Sequence, residues 1–346
     1  MGIGESYMNK MNVATALNKK YLAYTSVMLQ SLCVNNERPI RAFLLHTELE
    51  LSDIKCLEDS LKDFDIEIIA IKMDTRVFDE RLPRTTQWSV EMYYRLALPD
   101  VLPDYVERIL YLDVDIIVNK SVAELYDIEF DDYEIIATED CNGRKSWEMY
   151  SAKQQEMFGP LFEQGYIYFN SGVMLLNIAE IRKRVTLDTY MDAIEEWNYE
   201  MLAPDQDILN YVHWDRVGYV DGDKYDLFAN LAHNRGMNYE QVKSEASIIH
   251  FAGYKPWNTT SLHFEIEQLW WDYASKNPFY FQLLEGFLNS TLTSTLIENY
   301  IGHVCNKLVD TRKNLKEAME MSDKLLELVS QKKRRGEQLN KKDEVF

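Results

Sequence analysis

Arg108-Ile109-Leu110-Tyr111-Leu112-Asp113-Val114-Asp115 (RILYLDVD) is an apolar run that ends in two carboxylates. Continuous rather than alternating hydrophobicity is the pattern of a strand covered on both faces, as in the parallel sheet of an α/β protein. Residues at i and i+2 of an extended chain project to the same side. Asp113 and Asp115 therefore meet just past the strand's carboxyl end, where open α/β sheets bind ligands. Two like charges held together favour a divalent cation near them. A solvated acidic turn is the alternative, and the position directly after an apolar strand favours the metal.

Upstream, short β-rich runs alternate with helical patterns. Met11–Ala16 (MNVATA), Ile40–Leu45 and Ile66–Ile71 (IEIIAI) read as strands; Tyr21–Val34 and Ser52–Leu61 read as helices, the second with Ser52 as N-cap. Val90–Leu98 is a helical pattern that stops before Pro99. Strands separated by helices imply βαβ units and a doubly wound, mostly parallel sheet. Downstream, Ile116–Val118, Tyr133–Thr138, Tyr168–Leu176 and Ser247–Phe251 are further strands. Ser121–Glu124 reads as a capping box opening a short helix, and Asp205–Val212 as a longer one. Cys141–Gly165 is a polar and aromatic insertion of a kind that is usually functional or mobile. Beyond Trp257 the pattern is helical, with Leu308, Leu315, Met319 and Leu326 at near-heptad spacing before the basic run Gln331–Arg335.

The 346 residues are 46% hydrophobic and 27% charged, the composition of a soluble globular protein with an ample core. Lys+Arg 37 against Asp+Glu 57 leaves a net charge of −20. That balance argues against a nucleic-acid partner, because affinity for a phosphate backbone comes from basic surface. The tail is the exception: from Asn306 onward, 11 basic side chains outnumber 8 acidic ones. Two readings of it stay open: weak, salt-sensitive attachment to an anionic membrane, or packing on the body or on a second copy. No apolar run reaches the ~20 residues of a membrane span. Met1–Lys10 has no apolar stretch resembling a signal peptide. Cys33, Cys56, Cys141 and Cys305 show no C-x-x-C spacing and read as reduced thiols of a cytosolic protein, peripheral at most on the inner face of a membrane.

Three further constellations stand out. His250-Phe251-Ala252-Gly253-Tyr254-Lys255-Pro256-Trp257 ends a strand with a histidine, then offers a glycine, a lysine and a rigid Pro-Trp, which suits a loop closing on an anionic ligand. His250 could complete a metal site whose other ligands are carboxylates, and nitrogen in that shell favours Mn²⁺ over Mg²⁺. Lys255 could act as a point charge on phosphate. Asp205-Gln206-Asp207 opens a helix, where Asp205 is by default an N-cap. Arg95 sits on a mainly apolar segment and must find a carboxylate or phosphate. The first strand-to-helix turn, Ala16–Tyr21, contains no glycine, which excludes the G-x-G-x-x-G and Walker phosphate loops.

Taken together in this order, the segment from Met11 to Trp257 resembles glycosyltransferase family 8. These are retaining sugar-nucleotide transferases that include bacterial lipopolysaccharide galactosyl- and glucosyltransferases and glycogenin. The carriers are Val13–Ala16 with Asn18 and Tyr21, Tyr93–Leu98, Tyr111–Asp115 (YLDVD), Phe169–Asn177 (FNSGVMLLN), Asp205–Asn210 (DQDILN) and His250–Trp257. The resemblance implies a GT-A type fold over 8–260, followed by a helical extension with a basic tail over 261–346. It implies Asp113, Asp115 and His250 as ligands of Mn²⁺, with Mg²⁺ as the alternative. Tyr21 would stack on uracil beside Ala16 and Asn18, the latter standing where relatives often carry Asp. Val114, Gly253 and Lys255 would bind the donor's diphosphate end. Arg95, Asn170, Asp205 and Gln206 would surround the donor sugar, and Asp140 would hold donor or acceptor hydroxyls. The implied donor is UDP-glucose or UDP-galactose and the acceptor a saccharide, free or lipid-linked.

Cleaving the C1–phosphate bond of such a donor develops negative charge on phosphate and oxocarbenium character on the sugar. Gln206 is an amide and a poor nucleophile, so same-face attack by the acceptor is favoured over a covalent intermediate. A sugar-nucleotide pyrophosphorylase would need the glycine-rich loop that is missing. A non-catalytic or hydrolytic sugar-nucleotide binder is the remaining alternative.

Overall fold

The structure is a computed structural model that describes residues 10–74, 76, 78, 82, 90–140, 152–197, 204–253, 255–258, 265–293, 308–309, 311–324 and 327. Among these residues the strands are β1 Met11–Ala16, β2 Ile40–His46, β3 Ile66–Lys72, β4 Arg108–Leu112, β5 Ile116–Val118, β6 Ile135–Glu139, β7 Phe169–Asn177, β8 Val217–Val220, β9 Leu227–Phe228 and β10 Ile248–His250. The longer helices are α1 Leu22–Val34, α2 Leu51–Ser60, α3 Ala152–Glu163, α4 Leu187–Glu196, α5 Pro204–His213, α6 Gln268–Ala274 and α7 Tyr280–Thr293.

The central sheet has the order β3-β2-β1-β4-β7-β6-β8, and a small sheet has the order β5-β10-β9. Pairings β1–β2, β2–β3, β1–β4 and β6–β8 are parallel, while β7 runs antiparallel between β4 and β6. The expected mostly parallel, doubly wound sheet is therefore present, with one reversed strand. Strand order changes direction between β1 and β4, and the crevice outside their carboxyl ends is the natural ligand site of such a sheet.

Core packing follows the two-residue period of the strands. Val13, Leu44, Leu110, Leu112 and Leu175 enter one buried layer, while Ala14, Phe43, Ile109, Tyr111 and Met174 enter the other. A third cluster lies under the small sheet, where Val27 of α1, Ile249 of β10 and Trp270 of α6 meet. Helix α1 is buried along most of its length, as its apolar residues on all sides require.

Several local expectations are corrected. The α2 N-cap is Glu50, in a reciprocal capping box with Asp53, and Ser52 lies inside the helix. Val90–Ala97 is a 3₁₀ run that leads into a short helix Leu98–Val101 containing Pro99. A proline in the first turn removes an N–H that would have no intrahelical partner, so Pro99 does not stop the chain. The cap before Ala123–Tyr126 is Val122, without a side-chain cap: Ser121 Oγ accepts from Ala123 N at 3.3 Å and the Glu124 carboxylate is taken by Lys224 at 2.9 Å, so the Ser121–Glu124 box does not form. Sequence reading missed β8, β9 and α4, and placed α3 in an insertion. Residues 141–151 of that insertion lie outside the described residues, as do Cys141, Cys305, Leu326 and Gln331–Arg335.

The chain divides into two compact units, Met1–Glu285 and Gly286–Phe346. In the second, 308–309 and 311–324 are helical, and Leu308, Leu315 and Met319 are exposed. No helix among the described residues is long and apolar enough to cross a membrane.

Candidate functional site

The chain leaves β4 at Leu112, and the Asp113 N–H donates to the Gly172 carbonyl of β7 at 2.9 Å. That bond sets where the two carboxylates emerge. Antiparallel pairing of β5 with β10 places His250 opposite Ile116, next to Asp115. Ligand atoms of Asp113, Asp115 and His250 consequently all lie within 4.8 Å of one another. Gly172 forms the floor of this group. A Cβ there would lie 2.4 Å from His250 Cε1 and 3.0 Å from both Asp113 Oδ2 and Asn170 Oδ1, so glycine leaves His250 and Asp113 the room to converge. Two carboxylates and one imidazole around such a cradle fit a divalent cation with mixed oxygen and nitrogen ligands.

Each of these three side chains is held from behind. Arg95 Nη2 donates to Asp113 Oδ1 at 2.8 Å and the Tyr111 hydroxyl to the same oxygen at 3.1 Å. The guanidinium also reaches Asp205 Oδ2 at 3.0 Å and the Ser171 carbonyl at 2.7 Å, and lies over the Tyr111 ring. Burial alone would lower the Arg95 pKa, but Asp113, Tyr111 and Asp205 outweigh it and fix the positive charge. Burial pushes the Asp205 carboxyl up to about 6 despite Arg95. Lys255 Nζ donates to Asp115 Oδ2 and, at 3.1 Å, to the Phe251 carbonyl. Burial would raise the Asp115 carboxyl; Lys255 and His250 overcome that and hold it well below the usual carboxylate range. Burial likewise pulls the His250 imidazole down, and Asp226 and Asp115 reverse this to about 10.

Beside this group, Gln206 in the first turn of α5 is locked by both ends of its amide. Its Oε1 accepts from Ser171 N at 2.9 Å and Asn170 Nδ2 at 3.2 Å, and its Nε2 donates to Asp140 Oδ2 at 3.1 Å. Asn210, one turn on, accepts from Phe169 N at 2.7 Å and donates to Phe169 O at 2.9 Å, which fastens α5 to β7. The register shift in β6 after Ala137 precedes Asp140. Bulges re-aim side chains in this way beside functional sites.

On the other side a cleft runs from Asp113, Val114, Asp115 and Lys255 to Ala16, Asn18 and Tyr21 at the end of β1. Asn18 Oδ1 caps the turn Lys19–Tyr21 through Lys20 N at 3.1 Å. The Tyr21 ring lies 5.5 Å from Tyr24, which stacks on Trp257 at 4.3 Å, so the turn is backed by an aromatic column. Gly253 is exposed on the turn behind Lys255 with φ +79°, a conformation that favours glycine.

Of the candidate site residues, Ala16, Asn18, Tyr21, Arg95, Asp113, Val114, Asp115 and Lys255 thus line one cleft, and His250, Asp205, Gln206, Asn170 and Asp140 are tied to it through the contacts above, while Gly253 lies on the exposed turn before Lys255. Sequence reasoning missed Gly172, Tyr111, Ser171 and Asp226 as parts of it. A glycine inside the strand FNSGVMLLN was a legible signal for Gly172, and nothing local marks Asp226.

The sequence profile described as Glycosyl transferase family 8 matches residues 12–261. Glycosyltransferase GlyA of Streptococcus pneumoniae is 27% identical over 76% of this chain, a match that spans 34% of that relative's length. Lipopolysaccharide 1,3-galactosyltransferase of Salmonella typhimurium is 27% identical over 72% of this chain and 74% of its own. Among solved structures, the galactosyltransferase LgtC in complex with donor and acceptor sugar analogs is similar, with a TM-score of 0.63 at 21% identity, covering 78% of this chain and 96% of that one.

Proposed function

The chain belongs to glycosyltransferase family 8 and has the GT-A fold, and from that footing we propose that it moves glucose or galactose from a UDP-sugar to a saccharide acceptor with retention at C1. The observation that carries this reading is the convergence of Asp113, Asp115 and His250 over Gly172, between the cleft leading to Tyr21 and the Asn170–Gln206–Asp140 cluster. A divalent cation, Mn²⁺ by its donor set, would neutralise charge on the departing diphosphate.

The protein's own residues supply the rest. Tyr21 stacks on the base, and Lys255 exchanges Asp115 for a phosphate oxygen when the donor enters. Gln206 cannot swing into the sugar as a nucleophile, because its oxygen is engaged by β7 and its nitrogen by Asp140. It is placed instead as a fixed dipole, with Asp205 nearby as the negative charge that stabilises a cationic sugar. Acceptor attack then comes from the face the leaving group vacates, and the phosphate oxygen takes the acceptor proton. The hydrolytic alternative is tested by the same experiment. UDP release from a donor panel is measured with Mn²⁺ or EDTA, with and without oligosaccharide acceptors. Transfer that requires both Mn²⁺ and an acceptor is expected; release that is indifferent to acceptor makes the protein a hydrolase, and no release makes it a binder.

A further inference from the structure

Asp226 has no role in the mechanism above, although the inference drawn from it rests on that metal reading. It lies between the short helix Gly222–Tyr225 and β9, with its side chain fully buried. Taking a carboxylate out of water costs several kcal/mol unless its lone pairs are used. Both oxygens of Asp226 are used: Oδ1 lies 2.9 Å from His250 Nδ1, and Oδ2 accepts from the Thr138 hydroxyl at 3.1 Å.

An acceptor at Nδ1 holds a proton there, so the proton the ring would give up to a cation is the one on Nε2, which then serves as the ligand atom. Nε2 is on the side of the paired carboxylates, 3.5 Å from Asp115 Oδ1. The ring is bounded on other sides too. Phe228, paired with His250 across β9 and β10, packs edge-on at 4.9 Å, and the Cε1 edge faces Gly172. Asp226 also borders a cavity of about 820 Å³ that includes Asp140 and Phe228. Its buried side chain offers no surface to a ligand in that cavity, and of its two side-chain partners, His250 and Thr138, only His250 reaches the paired carboxylates.

We propose that Asp226 is the positioning residue that holds His250 in the tautomer and orientation that present Nε2 to the divalent cation, with Thr138 orienting Asp226 in turn.

Mn²⁺ affinity, read from the free-ion EPR signal with and without UDP, tests this on the full chain and on Asp226→Ala, Asp226→Asn and Thr138→Val. Loss of such a partner typically weakens metal binding by about 10–100-fold, and Asp226→Ala should fall in that range. Asp226→Asn retains an oxygen that accepts from Nδ1 and should lose less, and Thr138→Val less again. At saturating Mn²⁺ the turnover of Asp226→Ala should return to within a few-fold of wild type, a recovery that a misfolded variant would not show. In a His250→Ala background the same substitution should change nothing. Wild-type Mn²⁺ affinity in Asp226→Ala, or an equal loss in the His250→Ala background, overturns the proposal while leaving the metal site intact. A wild type that binds no Mn²⁺ overturns both. If Asp226→Ala does not fold, Asp226→Asn and Thr138→Val decide: both binding Mn²⁺ as wild type does is the overturning result.

Discussion

Arg95 Nη2 lies 2.8 Å from Asp113 Oδ1, so the first carboxylate after β4 is held from within the protein by a buried guanidinium. Asp115, two residues on, is held by Lys255, a more exposed and flexible cation. One carboxylate is thus part of the scaffold, and the other is paired with a group that can be exchanged. Arg95→Lys keeps the charge but cannot span Asp113, Asp205 and Ser171 together. We expect a loss of at least tenfold in kcat with a lowered melting temperature. Full activity in this variant would show that the fork is not needed.

Asp113→Asn and Asp115→Asn are nearly isosteric and sit at the ligand mouth. Each should reduce turnover by a factor of about 100 or more, the scale of removing a main electrostatic stabiliser, with the circular dichroism spectrum unchanged. EDTA should do the same to wild type, reversibly on adding Mn²⁺. Activity that survives EDTA removes the metal from the reaction.

Gly172→Ala is the smallest change that fills the cradle. Overpacking of this kind costs about 1–3 kcal/mol of stability, but the larger expected effect is on Mn²⁺ binding, because the new methyl displaces His250 and Asp113 together. Unaltered Mn²⁺ affinity in a folded Gly172→Ala would mean that the ligands can part without cost.

Stacking on a base binds ground and transition states alike. Tyr21→Ala should therefore raise the donor KM more than it lowers kcat. Initial-rate kinetics over a UDP-sugar range separate the two, and a variant that loses only kcat would move Tyr21 from the base to the chemistry.

At the opposite end of β6, Glu134 accepts from His213 Nδ1 at 2.7 Å and from Arg184 Nη2 at 2.5 Å, and Tyr190 completes the chain at His213 Nε2. Burial keeps His213 below its ordinary value despite Glu134, and Arg184, with Arg216 at 3.8 Å, supplies positive charge beside the carboxylate. Burial opposes ionisation of Glu134 as well, yet His213 and Arg184 bring its pKa down to about 2 from 4.5. A depressed carboxyl stabilises the fold above its unfolded pKa and stops doing so as pH falls through the folded value. Glu134→Gln should therefore be less stable than wild type by about 3 kcal/mol at pH 7. The gap should close between pH 4.5 and about 2. Denaturant melts at both ends of that range check it, and a gap independent of pH would mean that shape rather than charge is lost.

Much of this molecule is legible locally. β1, β4 and β5 begin and end where the β-rich runs do, because strands covered on both faces are dominated by hydrophobic residues, with Asn12, Thr15 and Arg108 as the polar exceptions. The apolar strand ending in Asp113 and Asp115 marks the site, and Lys255 follows His250 closely enough to serve it; the two carboxylates meet, however, across the turn at Val114–Asp115 between β4 and β5, and not along extended chain as the spacing alone suggests. Tertiary structure decided the rest. β9 is two residues long and exists by pairing with β10, so its sequence alone carries no strand signal. Arg95 finds Ser171 and Asp205 only because the turn before Pro99 packs beside β7 and α5. The room required at Gly172 and the carboxylate of Asp226 behind His250 are distances across strands, set by register and by the exclusion of water. No spacing along the chain encodes them.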